Sequence, residues 1–282
     1  MDLKKNLVLC AILLSGFCLP VFSQQVAKSL PKSKHGFIVI AHRGSHLNKP
    51  ENTIAAIEEA IVFGADYVEI DLRTTHDGQL VLLHNDRVDQ VSDGKGLIKD
   101  LDFEEVKKLT LKGVDGSLHQ IASFADALKA CRGRINIYLD FKAADVDQAY
   151  KEIEKAGMTD QVLVYINELQ QYYLWKKVAP KMPLMSSLDK AIGTKEGLLQ
   201  VLGKMPLDAV DNIPSENLLP VIRSLGISVF LDVQKRNETP DDWLNAMRKG
   251  IQGMQTDHPE ALIEYLKQNK LRDGLKISSG RQ

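Results

Sequence analysis

The chain is poor in cysteine. It has three in 282 residues, Cys10, Cys18 and Cys131, and the first two fall in an apolar stretch close to the N-terminus. If that stretch is removed, only Cys131 remains and no internal disulfide framework can form. Aromatic residues are also scarce, at 6% with two Trp. That argues against the stacked-ring platforms used to bind sugars or bases. Neither charge sign dominates: 36 Lys and Arg stand against 37 Asp and Glu, and the pI is about 6.7. Such a balance gives no footprint for nucleic acid or another polyanion. Long hydrophobic runs are missing as well, since the stretch from Leu7 to Leu19 is short for a membrane span. There is no internal repeat and no low-complexity segment.

The apolar stretch has a different reading. Lys4 and Lys5 precede it and Pro20-Val21-Phe22-Ser23-Gln24 follows, giving a charged, an apolar and a small-residue region in the order of an export signal. Residues 1–23 are therefore expected to be a signal peptide, and the mature protein to be periplasmic or secreted with no stable membrane span. A lipoprotein signal at Cys18 is the less favoured alternative, because Phe17 stands where a small residue is needed. Residues 24–35 are polar and aperiodic, which predicts a leader into one domain over 36–282.

Within that domain, apolar runs alternate with helical patterns. The runs predict strands at 37–41, 65–73, 79–84, 135–141, 161–166, 183–188, 207–212, 227–233 and 253–256. Helices are predicted at 53–63, 123–131, 145–157, 168–179, 194–204, 216–225, 240–249 and 259–268. One interval is too short for a crossover: His76-Asp77-Gly78 separates two apolar runs, and Asp-Gly there signals a hairpin. Setting that extra strand aside leaves eight strand–helix pairs. The expected fold is an α/β (β/α)8 TIM barrel with an extra hairpin strand and an irregular, lid-like insertion at about 85–120. A doubly wound open sheet is the alternative.

Chemistry concentrates at strand ends. Side chains alternate along a strand, so Glu69 and Asp71 share a face, as do Asp140 and Lys142. Carboxylates sent together into a barrel repel one another unless a hard divalent cation neutralises them. A solvated face or a salt bridge is the ordinary explanation of each pair taken singly. If the hairpin turns at Asp77-Gly78, His84 returns beside residues 69–71, while His42 arrives from the first strand. Two imidazoles at one point suit acid–base work near neutral pH. Ordinary surface or packing roles are expected for His35, His46, His76, His119 and His258. Arg43 offers a planar fork for phosphate or carboxylate, or else a salt bridge to Glu69 or Glu51. Asn52 is expected to cap the first helix, and Tyr172, Tyr173 and Trp175 to serve packing. Gly94 and Gly96 lack the strand–turn–helix setting of a phosphate loop.

These residues form a series: A-H-R-G (41–44), P-E-N-T (50–53), E-I-D-L (69–72), D-G-Q-L-V-L-L-H (77–84), L-D-F-K (139–142) and T-D-H-P (256–259). In that order they resemble the glycerophosphodiester phosphodiesterases, within the wider phospholipase-C-like phosphodiesterase barrels. The resemblance implies metal-dependent hydrolysis of a small-molecule glycerophosphodiester to sn-glycerol 3-phosphate and an alcohol. It implies His42 and His84 as the catalytic pair and Arg43 and Lys142 as phosphate contacts. Glu69, Asp71 and Asp140 become ligands of one divalent cation, Ca2+ or Mg2+. Asn85, Gln90, Asp140 and the run Val229-Phe230-Leu231-Asp232-Val233 depart from the family pattern, and the carboxylate that would orient His84 is either absent or supplied by Asp86. Rival readings are another phosphodiester substrate (a lysophospholipid, sphingolipid or glycerophosphoinositol), a glycosidase, or an exported binding protein without catalysis.

Overall fold

A computed structural model of the chain describes residues 29–272. The signal peptide expected at 1–23, the first part of the leader and the end of the domain at 273–282 lie outside the described residues. Strand β1 (Ile38–Ala41) leads into α1 (Ile54–Phe63), and β2 (Tyr67–Thr74) into the short β3 (Leu80–Leu82). An irregular segment follows, with α2 (Phe103–Val106) and a small hairpin of β4 (Leu111–Lys112) and β5 (Leu118–His119), before α3 (Phe124–Cys131). The rest alternates: β6 (Asn136–Ala143), α4 (Val146–Lys155), β7 (Val162–Ile166), α5 (Leu169–Val178), β8 (Leu184–Ser186) and α6 (Lys195–Lys204). Then come β9 (Ala209–Val210), α7 (Leu219–Ser224), β10 (Ser228–Asp232), α8 (Pro240–Arg248), β11 (Gly253–Thr256) and α9 (Pro259–Gln268).

Eight parallel strands pair in the ring β1-β11-β10-β9-β8-β7-β6-β2, and β2 closes back onto β1. The fold is a closed (β/α)8 barrel, as expected. Strand alternation separates two apolar layers. Ile38, Ile40, Tyr67, Tyr138, Leu163, Met185, Ala209 and Phe230 fill the interior. Their neighbours, such as Val39, Val68, Leu139 and Val229, face the helices. Gly253 is required in this floor, because a Cβ there would lie 2.7 Å from Ile38 O and 3.1 Å from the Phe230 ring. Helix starts carry side-chain caps from Thr53, Ser123, Asp145, Thr194 and Thr239. Trp175 is fully buried and meets Phe141 edge-on at 5.3 Å, whereas Tyr173 is exposed.

Residues 29–35 close the N-terminal end of the barrel. Leu30 packs into the interior layer, and the Tyr67 hydroxyl donates to Pro31 O at 2.7 Å. Asp66 accepts from Ser33 and Val39, lies 2.7 Å from His35 Nδ1, and pairs with Arg272 at 3.1 Å.

The hairpin decides the other end. Strand β1 pairs with β2 only at Ile40↔Tyr67 and Ala41↔Val68. Higher along the same edge, β3 pairs antiparallel at Leu72↔Leu82, Arg73↔Val81 and Thr74↔Leu80. Thus β3 takes over beside β2 where β1 stops. The segment after it is more than a lid, because Val81, Leu83, Val88, Ile98, Val106, Leu111 and Ile121 form a small core of their own. Its helix α2 is only four residues long, and β4 and β5 were not foreseen; two-residue strands are too short to show periodicity.

Candidate active site

Between the two ladders on the edge of β2 lie Glu69 to Asp71, and the loop after β1 fills that gap. Arg43 N donates to Glu69 Oε2 at 2.7 Å. Asn52 binds Asp71 twice: Nδ2 donates to Oδ2 at 2.7 Å, and Oδ1 accepts from the Asp71 amide at 3.0 Å. Leu83 N then donates to Asp71 O at 3.0 Å. The Asn52 side chain therefore stands in for a missing strand partner and does not cap α1. The cap is Thr53, whose Oγ1 accepts from Ala56 N at 3.2 Å. The loop holds left-handed backbone at Arg43 (φ 51°) and Asn52 (φ 57°), conformations that cost energy in non-glycine residues and cluster at functional sites. Gly44 follows at φ 82°, where a Cβ would lie 2.7 Å from the Ala56 Cβ. Only glycine lets the strand end sit this close to α1.

Glu69, Asp71 and Asp140 each offer a carboxylate oxygen within 4.8 Å of the others, with Glu69 and Asp71 buried. Burial, together with Asp71 and Asp140, holds the Glu69 carboxyl well above its usual range. Burial likewise raises Asp140, against the opposing pull of Lys142. Lys142 donates to Asp140 Oδ2 and lies 3.4 Å from Asp71 Oδ1. Burial works to lower the Lys142 pKa, but Asp140 and Asp71 outweigh it and leave the ammonium stabilised. Arg43 Nη1 donates to Glu51 Oε2 at 2.9 Å, and its Nε lies 3.7 Å from Asp71 Oδ2. Among the described residues, Asp71 Oδ1 is buried and accepts no hydrogen bond. Three converging carboxylates, with one oxygen among them accepting no hydrogen bond, fit a hard divalent cation.

The two imidazoles approach from β1 and β3. His42 Nδ1 lies 2.7 Å from Asp257 Oδ1. A carboxylate accepts, so Nδ1 carries the proton and Nε2 is left with its lone pair. Burial works to raise the Asp257 carboxyl, but the hydrogen bond from His42 leads the influences that overcome this and hold it low. His84 Nδ1 lies 3.1 Å from Asn85 Oδ1, and Asn85 donates in turn to Gln90 Oε1. Asn85 thus supplies the acceptor itself. Asp86 makes no bond to His84 among the described residues, and its carbonyl instead accepts from Ile98 N at 2.8 Å. Burial lowers the His84 pKa, and the charges of Arg43 and Lys142 add to this against the pull of Asp71.

Every site residue named from the sequence lies at this one rim. Three more belong there. Asp257 sits one residue past β11, and its backbone N donates to Glu238 Oε1 at 2.7 Å. His46 faces Asp257 at 3.4 Å and His42 O at 2.7 Å, so it is not an ordinary surface ring. Arg73 grips the His84 carbonyl through Nη2 at 2.7 Å and fixes the backbone there. Asp257 was legible in T-D-H-P by alternation from Gly253 and Gln255. His46 and Arg73 carried no such signal.

The model of the glycerophosphoryl diester phosphodiesterase family matches residues 42–261, from the first imidazole to α9. The chain belongs to this family. Family membership makes it an enzyme, a phosphoric diester hydrolase. The glycerophosphodiester phosphodiesterase of Caldanaerobacter subterraneus is 29% identical over 82% of this chain and 98% of its own. The Bacillus subtilis protein YhdW is 30% identical over 80% of this chain and 96% of its own. Among solved structures, an Oleispira antarctica phosphodiesterase in complex with the product sn-glycerol-3-phosphate superposes with a TM-score of 0.69 at 20% identity. It covers 82% of this chain and 96% of that one. A glycerophosphoryl diester phosphodiesterase from Parabacteroides distasonis gives 0.70 at 20% identity over 88% and 90%. At such identities the structures support the barrel alone.

Proposed function

We propose that this glycerophosphodiester phosphodiesterase-family enzyme hydrolyses glycerophosphodiesters to sn-glycerol 3-phosphate and an alcohol, using His42 and His84 for proton transfer. The observation that carries the reading is the convergence of two imidazoles, three carboxylates, Arg43 and Lys142 at one rim. Glu69, Asp71 and Asp140 would hold one divalent cation, Ca2+ or Mg2+, which supplies Lewis-acid charge to a phosphate oxygen. Arg43 and Lys142 offset the remaining phosphate charge, which is worth most in a cavity that excludes water. With Nδ1 committed to Asp257, His42 presents Nε2 as a proton acceptor. Asp257 orients the ring and fixes that tautomer. His84 likewise presents Nε2, with Nδ1 held by Asn85.

The test is release of glycerol 3-phosphate from glycerophosphocholine, with and without EDTA. Release that EDTA stops supports the reading; release that EDTA spares removes the cation from it, and no release from any glycerophosphodiester removes the substrate. We also propose export, on the strength of the pattern in residues 1–23. Peptide mapping of the mature protein should begin at Gln24.

A further inference from the structure

Apart from Asp257, which follows β11, the groups above occupy the side of the mouth from β1 to β6, while β7 to β11 form the other side. Their inward positions at the rim are Tyr165, Ser187, Asp211, Asp232 and Gln255, reached by alternation from Leu163, Met185, Ala209, Phe230 and Gly253 of the floor. Asp232 N donates to Asp211 O at 3.4 Å, so the two acids stand on adjacent strand ends. Asp211 is 7% exposed; its Oδ2 accepts from Ser187 Oγ at 2.7 Å, and its Oδ1 has no hydrogen-bond partner among the described residues. Gln255 is 4% exposed; its Nε2 donates to Asp232 Oδ1 at 3.0 Å, and its Oε1 has none. The Tyr165 hydroxyl lies 2.7 Å from Ser187 Oγ. Neither acid forms an ion pair among the described residues; their partners are hydroxyls and amides.

Buried acceptors without donors and carboxylates without counter-ions are both costly, and a ligand that supplies donors and positive charge relieves both. Burial raises the Asp211 carboxyl. Asp232 meets solvent at the mouth but backs onto the barrel wall, and that desolvation, with Asp211 beside it, pushes it up to about 7. A neutral polyol would answer the hydrogen bonds but not the charge, and an anionic group would be repelled. The Tyr165 ring adds an aromatic surface, which also attracts ammonium groups.

We propose that this half of the mouth selects diesters whose alcohol arm carries a positive charge, an amino alcohol with a primary or quaternary ammonium, through Asp211 and Asp232. The proposal rests on the hydrolytic reading above and names the arm that reading leaves open. Phosphate binds at the carboxylate and Arg43 side, and the charged arm crosses to the opposite wall. Asp140 marks the border, since its Oδ1 accepts from Asn167 Nδ2, past β7, at 2.8 Å.

The experiment compares kcat/KM for glycerophosphocholine and glycerophosphoethanolamine with that for glycerophosphoglycerol, in the wild type and in Asp211→Asn/Asp232→Asn. The wild type should favour the charged diesters by about tenfold, the scale of one partly screened charge contact. In the double variant the ratio should fall to about one, mainly through a higher KM for the charged diesters. A wild-type ratio at or below one, or a ratio the variant leaves unchanged, overturns the proposal. Calorimetry with phosphocholine and with glycerol 3-phosphate, each with magnesium, provides a readout independent of turnover. Phosphocholine affinity alone should drop in the variant, and an equal drop for both ligands overturns the proposal. If no diester is hydrolysed, the hydrolytic reading fails and calorimetry decides this one alone. Thermal melts check folding, and the single Asp232→Asn variant replaces the double if that unfolds.

Discussion

The two halves of the barrel mouth are built alike and balanced differently. From β1 to β6, Glu69, Asp71 and Asp140 are interleaved with Arg43 and Lys142, which lie within 4 Å of one or another of them. From β7 to β11, Asp211 and Asp232 meet only neutral donors among the described residues. The same strand alternation places carboxylates inward on both sides, so architecture does not decide what each side binds. The cations within reach decide it. One side mixes acids with cations, and the other presents acids with hydroxyl and amide partners.

Four measurements sharpen that contrast or break it. The largest effect is expected from chelation: EDTA should reduce hydrolysis to background and added magnesium or calcium should restore it, because three crowded carboxylates then lack their neutralising ion. His42→Ala and His84→Ala come next, each cutting kcat by at least ~100-fold with the melting temperature held. Near-normal turnover in either would take that residue out of the chemistry. Asp257→Asn should lower kcat by about tenfold or more with little change in KM, since it orients a ring and does not touch substrate; a pure KM effect would contradict that role.

The smallest effect belongs to the other half and appears as stability. An unfolded aspartate ionises near pH ~3.9, whereas folded Asp232 keeps its proton up to about 7. Between those values the folded state binds the extra proton, so its stability falls as pH rises through this window. Asp232→Asn has no such proton to lose. Its melting temperature should match the wild type in acid and exceed it increasingly up to about pH 8. A gap that is widest in acid would reverse the assignment.

Much of the barrel was legible because periodicity is a strong signal. The nine strand runs, the Asp77-Gly78 hairpin and the return of His84 toward residues 69–71 all follow from alternation and turn chemistry, and the register Leu72↔Leu82 is what that turn produces. The parts that were not legible depend on tertiary neighbours. Asn52 reads as a cap because it precedes a helix, yet a gap in the β2 ladder recruits its amide for Asp71. His46 reads as surface because nothing nearby in the chain shows that Asp257 will arrive 3.4 Å away. The acidic far wall escaped notice because it takes one residue from each strand. Paired carboxylates on a single strand are visible in sequence, and a ring of single ones is not. Phe230, a departure from the family pattern, belongs to the buried floor, and Asp232 two positions on is the residue that reaches the mouth.

The way β3 replaces β1 beside β2 has an evolutionary consequence. His84 is anchored on its N-terminal side by the Leu72↔Leu82 pairing and by Arg73, and the irregular segment begins just after it. Whatever is spliced in past Gln90 meets a His84 whose backbone is already fixed and whose ring is already held by Asn85. Descendants of this scaffold are therefore free to rebuild the canopy over the mouth, in length and in composition, while the imidazole beneath stays in place.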